Sequence, residues 1–406
     1  MAKKIKLLVI THSYPTKVHP TSGIFIKNQY DYIKDHCDVK IIFPYPYIPK
    51  FKKLNPYYKF SEIPFKEEVG GIEVYHPKYL FFPRNGIFSN FLSVFLFFES
   101  FFSYLSSKNL IYKLKKEWDF DIIKVHGCIA ESVTGVMSKK KYKKPLLVML
   151  HGEDVTRFSK IWFLKILARP ILKNSDAIIC KSNSLKKEVL EMGIVNKAIY
   201  IIPSGYAVKR FKPKSSVKCR KMLNLPINKK IILFAGDLIP RKGVEYLIRA
   251  MKLVVKSNGD IWCYIVGDGI LKSELRNLAD KLNLNKCVFF VGEKKLDEMP
   301  LWMNACDILV LPSLNESLPS VLSEAMACGK PVVATNVAGA PEIVNKDVGY
   351  LVKPKNADDL AEKIILALNK KWNREKLFKR AKEFSVTNSV KKTLKLYDKL
   401  LDFKEI

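Results

Sequence analysis

A short apolar run that empties into a turn recurs along the whole chain, and it limits the possible folds more than any other feature. In the first half the runs are KIKLLVI (4–10), VKIIFPYP (39–46), DFDIIKVHG (119–127), PLLVMLHGED (145–154), SDAIICKS (175–182) and NKAIYIIPSG (196–205). In the second half they are KIILFAGD (230–237), DIWCYIVGDG (260–269), CVFFVGE (287–293), DILVLPS (307–313), PVVATN (331–336) and GYLV (349–352). Runs that are apolar without alternation suit strands covered on both faces, as in parallel sheets. Segments of helical length, such as 24–35, 271–282 and 320–327, lie between them, and this alternation builds βαβ units. A chain of 406 residues is too long for one core. Order breaks down after Gly205, in YAVKRFKPKSSVKCRKMLNLPINKK, which places a boundary there. The expectation is α/β: two doubly wound Rossmann-like domains, at 1–205 and 206–385. A terminal helix, 386–406, is expected to pack back on the first.

Less regular segments are harder to place. Residues 50–85 read as irregular, with a strand at 71–77. Residues 85–109, NGIFSNFLSVFLFFESFFSYLSSKN, are apolar or small almost throughout and are followed by basic KNLIYKLKK. Two readings stay open: a buried core helix, or a helix lying on an anionic membrane. Residues 157–174 read as a basic helix whose wide apolar face is packed. The N-terminal run Ile5–Ile10 is too short for the apolar region of a signal peptide. No segment of about 20 uninterrupted apolar residues is present, so no clear transmembrane helix is expected.

The net charge of +31 suits an anionic partner or simple solubility. Basic residues are spread along the chain without a recognition motif, so nucleic acid is not expected as a partner. The eight cysteines form no CxxC pair and several sit in apolar runs, the pattern of reduced thiols in a cytoplasmic protein without a zinc site.

Candidate chemistry gathers at strand exits, where open α/β sheets bind ligands. Arg241-Lys242-Gly243 follows the run 230–237 and opens a helix, a setting suited to a diphosphate. Gly267 and Gly269 permit close backbone approach after the next run. The stretch 311–342 holds Glu316 in a loop and Glu324 in the helix 320–327. Glu316 caps that helix or faces a ligand; Glu324 lies on a solvated face or grips a ribose diol. In the first half, Gly23 precedes a helix and can admit a phosphate. His151 and His126 each end an apolar run, placed for chemistry or bonded to a carbonyl in the core.

The stretch NESLPSVLSEAMACGKPVVATNVAGAPEIV resembles the signature of the retaining GT-B glycosyltransferases of family 4. PTSGIF, LHGED, IIPSGY, PRKG, VGDG, VFFVGE and CDILVLPS occur around it in family order, so the likeness covers nearly the whole chain. The resemblance implies two domains facing across a cleft and transfer of a hexose from a nucleoside diphosphate sugar, with no cofactor and no metal. It implies that Glu316 contacts sugar hydroxyls, Glu324 the ribose and Lys242 the diphosphate. It likewise implies that Gly23 closes over the phosphates, His151 lies near the reacting sugar, and the backbone of Ser317, Leu318 and Ser320 holds the β-phosphate and sugar. One departure is Asp237 after Gly236, where many members have arginine; Arg241 is the candidate to supply that charge. The expected acceptor is a saccharide or lipid-linked saccharide in cell-surface glycan synthesis, handled in the cytoplasm or at the inner face of the membrane. A nucleotide-sugar epimerase of the same fold and a non-catalytic carbohydrate- or membrane-binding subunit are the alternatives.

Overall fold

The computed structural model describes residues 4–48, 58–80, 92–152, 155, 162–195, 197–257 and 259–402. The chain divides into two compact units, Met1–Ser204 with Ser389–Ile406, and Gly205–Asn388. The helix Val386–Asp402 therefore carries the chain back into the first unit, where Tyr397 is fully buried.

The first unit is built on β1 (Ile5–Thr11), β2 (Cys37–Ile42), β3 (Tyr45–Pro46), β4 (Lys66–Val69), β5 (Ile72–Tyr75), β6 (Lys78–Tyr79), β7 (Ile122–His126), β8 (Leu146–Met149), β9 (Ala177–Cys180) and β10 (Ala198–Ile201). Eight of these form one sheet in the order β10-β9-β8-β7-β1-β2-β5-β4, and β3 pairs with β6. All pairs in the large sheet are parallel except β4 with β5. Leu7, Leu8, Val9 and Ile10 are all fully buried, as continuous apolar strands in a doubly covered sheet must be. Strand order reverses between β1 and β7, so the exits of these two strands border a crevice that helices cannot cover.

Several elements differ from expectation. The segment read as irregular contains the hairpin β4–β5, turned at Gly70-Gly71 and anchored by a buried pair, His76 Nε2 to Glu67 Oε1 at 2.9 Å. A helix spans Leu92–Glu117, running on through the basic KNLIYKLKK; residues 85–91 lie outside the described residues, as do 157–161 of the expected basic helix. Helix Ser216–Met222 forms where order was expected to lapse. Its N-cap is Ser215, whose hydroxyl accepts from the Lys218 amide. Among the described residues no helix is long and apolar enough to cross a membrane. All eight cysteines are free and buried.

The second unit holds β11 (Lys230–Ala235), β12 (Ile261–Val266), β13 (Val288–Gly292), β14 (Ile308–Leu311), β15 (Val332–Thr335) and β16 (Gly349–Val352), all parallel, in the order β13-β12-β11-β14-β15-β16. Here the reversal falls between β11 and β14. The entry to this pair is pinned by the buried Arg220. Its guanidinium donates to the carbonyls of Ala305, Ile227 and Lys229 and to Asp307 Oδ2 at 2.8 Å. The same Asp307 oxygen accepts the Ile231 amide at 2.6 Å, so one ion pair fixes where both central strands begin.

Removing one partner of a buried pair strands the other, so Arg220→Ala is expected to destabilise the second unit by about 3–5 kcal/mol in urea unfolding. A loss below about 1 kcal/mol would show that these bonds are not what holds the two strand starts.

Candidate functional site

At the reversal in the second unit, the loops after β11 and β14 come together. The first turns through a short 3-10 segment, Pro240–Lys242. The Arg241 carbonyl accepts the Leu314 amide at 2.8 Å, locking that turn to the loop after β14. From this loop Glu316 points inward and is buried. Its Oε1 accepts from Lys242 Nζ at 2.5 Å and from the Ser313 hydroxyl at 2.8 Å, while its Oε2 lies 3.7 Å from Arg241 Nη1. Two cations and one carboxylate thus meet at the exits of the two central strands. Ser317 Oγ is buried beside them without a hydrogen-bond partner among the described residues.

Helix Ser320–Ala327 starts at the same loop, with Pro319 at its N-cap and no side-chain cap, so its first backbone N–H groups remain available. The Glu324 carboxyl lies one turn on, on the same helix face as the Ser320 hydroxyl that bonds it. Burial pushes its pKa up to about 7, against smaller opposing effects of Arg210 and the Ser320 hydroxyl. Gly267 differs from the sequence reading. Its φ is +143°, and a Cβ there would lie 1.9 Å from the Gly236 carbonyl oxygen. The close approach it permits is between two strand exits of the chain itself.

In the first unit the groups converge on the exits of β1, β7 and β8. Gly23 sits at φ +60° before helix Ile24–Ile33, and a Cβ would lie 2.5 Å from the Ser13 carbonyl, so the β1 loop and the helix start can meet only over a glycine. That helix brings Phe25 edge-on to His151, ring centroids 5.0 Å apart, and Tyr30 to His126, with Tyr30 Oη 2.7 Å from His126 Nε2. His126 Nδ1 lies 2.9 Å from His151 Nε2. Burial, then the charges of nearby lysines, push both imidazoles well below the usual histidine range. Glu153 and Asp154, next to His151 in the sequence, lie outside the described residues. Lys124, in the middle of β7, is fully buried; its amine bonds Gln29 Oε1 at 3.2 Å and lies over the Tyr30 and Tyr397 rings. Burial lowers its pKa to about 7.

The structure thus brings Arg241, Lys242, Glu316, Ser317, Leu318, Ser320 and Glu324 onto one patch of the second unit, and Gly23 and His151 into one cluster of the first. Sequence reasoning passed over Ser313, Phe25, Tyr30 and Lys124. Only Lys124 left a signal, a charge inside an otherwise apolar strand run. No group of residues suited to a metal ion occurs among the described residues.

Comparison with known proteins decides the family. Over 314 residues the chain is 32% identical to an uncharacterised glycosyltransferase of Methanocaldococcus jannaschii, covering 74% of this chain and 80% of the relative. The chain belongs to the family 4 glycosyltransferases of GT-B fold. Residues 218–384 of this glycosyltransferase match the family Glycosyl transferases group 1, and residues 70–210 match Glycosyltransferase Family 4. It is 26% identical over 370 residues to a putative teichuronic acid biosynthesis glycosyltransferase of Bacillus subtilis, covering 89% and 88% of the two chains. The structure of Anabaena HepE in complex with UDP shares the fold at a TM-score of 0.71 and 19% identity, over 97% of this chain and all of that one.

The raised pKa of Glu324 has a readable consequence. A carboxyl whose pKa is higher folded than unfolded favours folding while it is protonated. That stabilisation is full below the ordinary value of 4.5 and is lost as pH rises through about 7. Glu324→Gln keeps the shape and removes the titration. Its thermal midpoint relative to the parent should rise between about pH 5 and pH 8 without ligand; a constant difference would show that Glu324 does not titrate in this range.

Proposed function

We propose that this glycosyltransferase moves a hexose from a nucleoside diphosphate sugar to a saccharide or lipid-linked acceptor, with retention of anomeric configuration, in cell-surface glycan synthesis. The observation that carries this is the Lys242–Glu316–Arg241 cluster at the reversal of the second sheet. It holds a carboxylate ready for sugar hydroxyls and a positive surplus ready for a diphosphate, within one patch.

In this reading the free protein keeps Lys242 and Arg241 neutralised by Glu316. A diphosphate entering beside them takes over the cations, and Glu316 turns to the hydroxyls of the sugar. Lys242, Arg241 and the free N–H groups of Ser317, Leu318 and Ser320 then stabilise the charge that grows on the leaving diphosphate, as preorganised donors do in other transfer reactions. Glu324 accepts from the ribose diol. That contact is stronger for the ionised form, so donor binding draws its proton off. The family resemblance supplies Gly23 at the phosphates and His151 at the reacting sugar. The acceptor hydroxyl attacks from the face the diphosphate leaves, and a leaving phosphate oxygen takes its proton. This scheme uses no metal. Relatives of similar sequence, such as the putative teichuronic acid enzyme, support the glycan class of acceptor.

The test is a thermal-shift screen against nucleoside diphosphate sugars, followed by transfer assays with the stabilising donor in EDTA. A donor that binds only the folded state raises the midpoint. Glu316→Ala and Lys242→Ala are each expected to lower turnover by about 100-fold, the cost of a lost transition-state contact. Undiminished turnover in either variant, loss of turnover in EDTA, or an inverted product would defeat the corresponding part of the proposal.

Contact with an anionic membrane is supported by residues 98–107 of helix Leu92–Glu117, where polar side chains face in and aromatic ones face out. Glu99, Ser100, Ser103 and Ser107 are buried, while Phe98 and Phe101 are 46% and 45% exposed. Farther along, the exposed Tyr112 ring has Lys116 and Lys141 over it at 4.8 and 5.3 Å. Aromatic rings flanked by lysines suit an anionic headgroup region. The protein is expected to float with anionic liposomes at low salt, and Phe98→Ser with Phe101→Ser to reduce the floated fraction. Absence of flotation at low salt would remove the membrane from the proposal.

A further inference from the structure

The cluster in the first unit contains two hydrogen bonds whose direction can be worked out from proton counting. Tyr30 Oη lies 2.7 Å from His126 Nε2, and His126 Nδ1 lies 2.9 Å from His151 Nε2. The two imidazoles are within 8° of parallel with centroids 5.1 Å apart. Together with the short N–N distance, this is an edge-to-edge hydrogen bond in a common plane, not a face-to-face stack. Both imidazoles are neutral, so each carries one N–H, and the phenol carries one O–H.

Only two arrangements satisfy both bonds. In one, Tyr30 donates to His126 Nε2, His126 Nδ1–H donates to His151 Nε2, and the His151 proton sits on Nδ1. In the other, every bond runs backwards: His151 Nε2–H donates to His126, His126 donates to the phenol oxygen, and the phenol proton points elsewhere. Tyr30 is fully buried, and His126 is the one hydrogen-bond partner of its hydroxyl among the described residues. The second arrangement therefore buries an unpaired O–H as well as an unpaired His151 Nδ1; the first leaves only His151 Nδ1 without a partner. Leaving a buried hydrogen-bonding group unpaired is costly, so the first arrangement, with one such group fewer, wins.

We propose that Tyr30 and His126 are positioning residues that fix the proton of His151 on Nδ1, making that nitrogen a committed hydrogen-bond donor to an oxygen of the bound sugar. The inference rests on the proposed placing of His151 at the sugar. His151 is half-buried and its Nδ1 has no acceptor among the described residues, so a ligand oxygen brought within reach satisfies a group the free protein leaves unpaired. Lys124 lies over the Tyr30 ring at 5.2 Å, and its charge helps to keep His126 neutral; that neutrality gives Tyr30 its part, since a doubly protonated His126 would donate to His151 whatever the phenol did.

The test is a two-bond nitrogen–proton correlation spectrum of the full chain, labelled with nitrogen-15 at histidine and free of ligand, with His151 identified from its loss in His151→Gln. The wild type is expected to show His151 in the Nδ1–H form. His126→Leu removes the donor to Nε2 and should move His151 to the Nε2–H form that histidine prefers in water. Tyr30→Phe should give a mixture of the two. An Nε2–H signal in the wild type overturns the inference, and this single spectrum decides even where a variant fails to fold. Retention of the Nδ1–H form in His126→Leu overturns it as well. The spectrum is independent of transfer activity: an Nδ1–H form in a protein that transfers no sugar would defeat the functional reading while leaving the relay intact.

Discussion

The bond between Glu316 and Lys242 is the interaction on which the candidate site depends. It spans the loops after β11 and β14, the two strands between which the sheet order reverses. Without it, the two adjacent, partly buried cations Arg241 and Lys242 would repel each other. A carboxylate held this way serves two purposes in one position. It ties the two loops together, and under the proposed function it would turn to sugar hydroxyls once an anion of the ligand replaces it at the cations. The backbone bond from Leu314 to Arg241 ties the same two loops independently of the ion pair.

The first unit solves a different problem. At the exits of β7 and β8 two imidazoles and a phenol are linked in series, and beside them the buried Glu131 meets His12. Lys124 brings an amine into the middle of β7, and burial drives its pKa down to about 7. Its amine is met by Gln29 and by aromatic faces, with no carboxylate in hydrogen-bonding reach among the described residues. Such a group is expensive to keep ionised, and strands of the same sheet show that an apolar residue fits the position type. Its charge acts on the imidazoles of His126 and His151, holding both toward the neutral form.

Much of the architecture was legible because its signals are local. Continuous apolar runs marked all the central strands of both sheets, and glycine and proline marked their exits. Strand β5 lies within the strand read at 71–77, but its partner β4 was missed because KEEV carries three charges and one apolar residue, an edge-strand pattern that reads as a loop in a single sequence. Helix Ser216–Met222 was missed because lysines and arginine dominate it; what makes it a helix is the cap at Ser215 and the burial of Arg220, whose partners lie far along the chain. At the site, the types and spacing of Lys242, Glu316 and Glu324 could be read in advance. The pairing of Tyr30 with His126 could not, since it joins residues nearly a hundred positions apart on a helix and a strand end. Gly267 was read in the right place with the wrong neighbour: its missing side chain makes room for Gly236.

The return of the last helix to the first unit bears on how the chain is made. Synthesis proceeds from the N-terminus, and the residues of the second unit, Gly205–Asn388, leave the ribosome as one uninterrupted block that can fold when complete. The first unit cannot finish in its turn, although its sheet is synthesised first. Tyr397 lies over Lys124 and is fully buried, so until that helix appears the interior beside β7 stays open to water. The half of the enzyme that is translated first is thus the half that is completed last, and a nascent chain stalled before Ser389 would present an assembled second unit and an unsealed first.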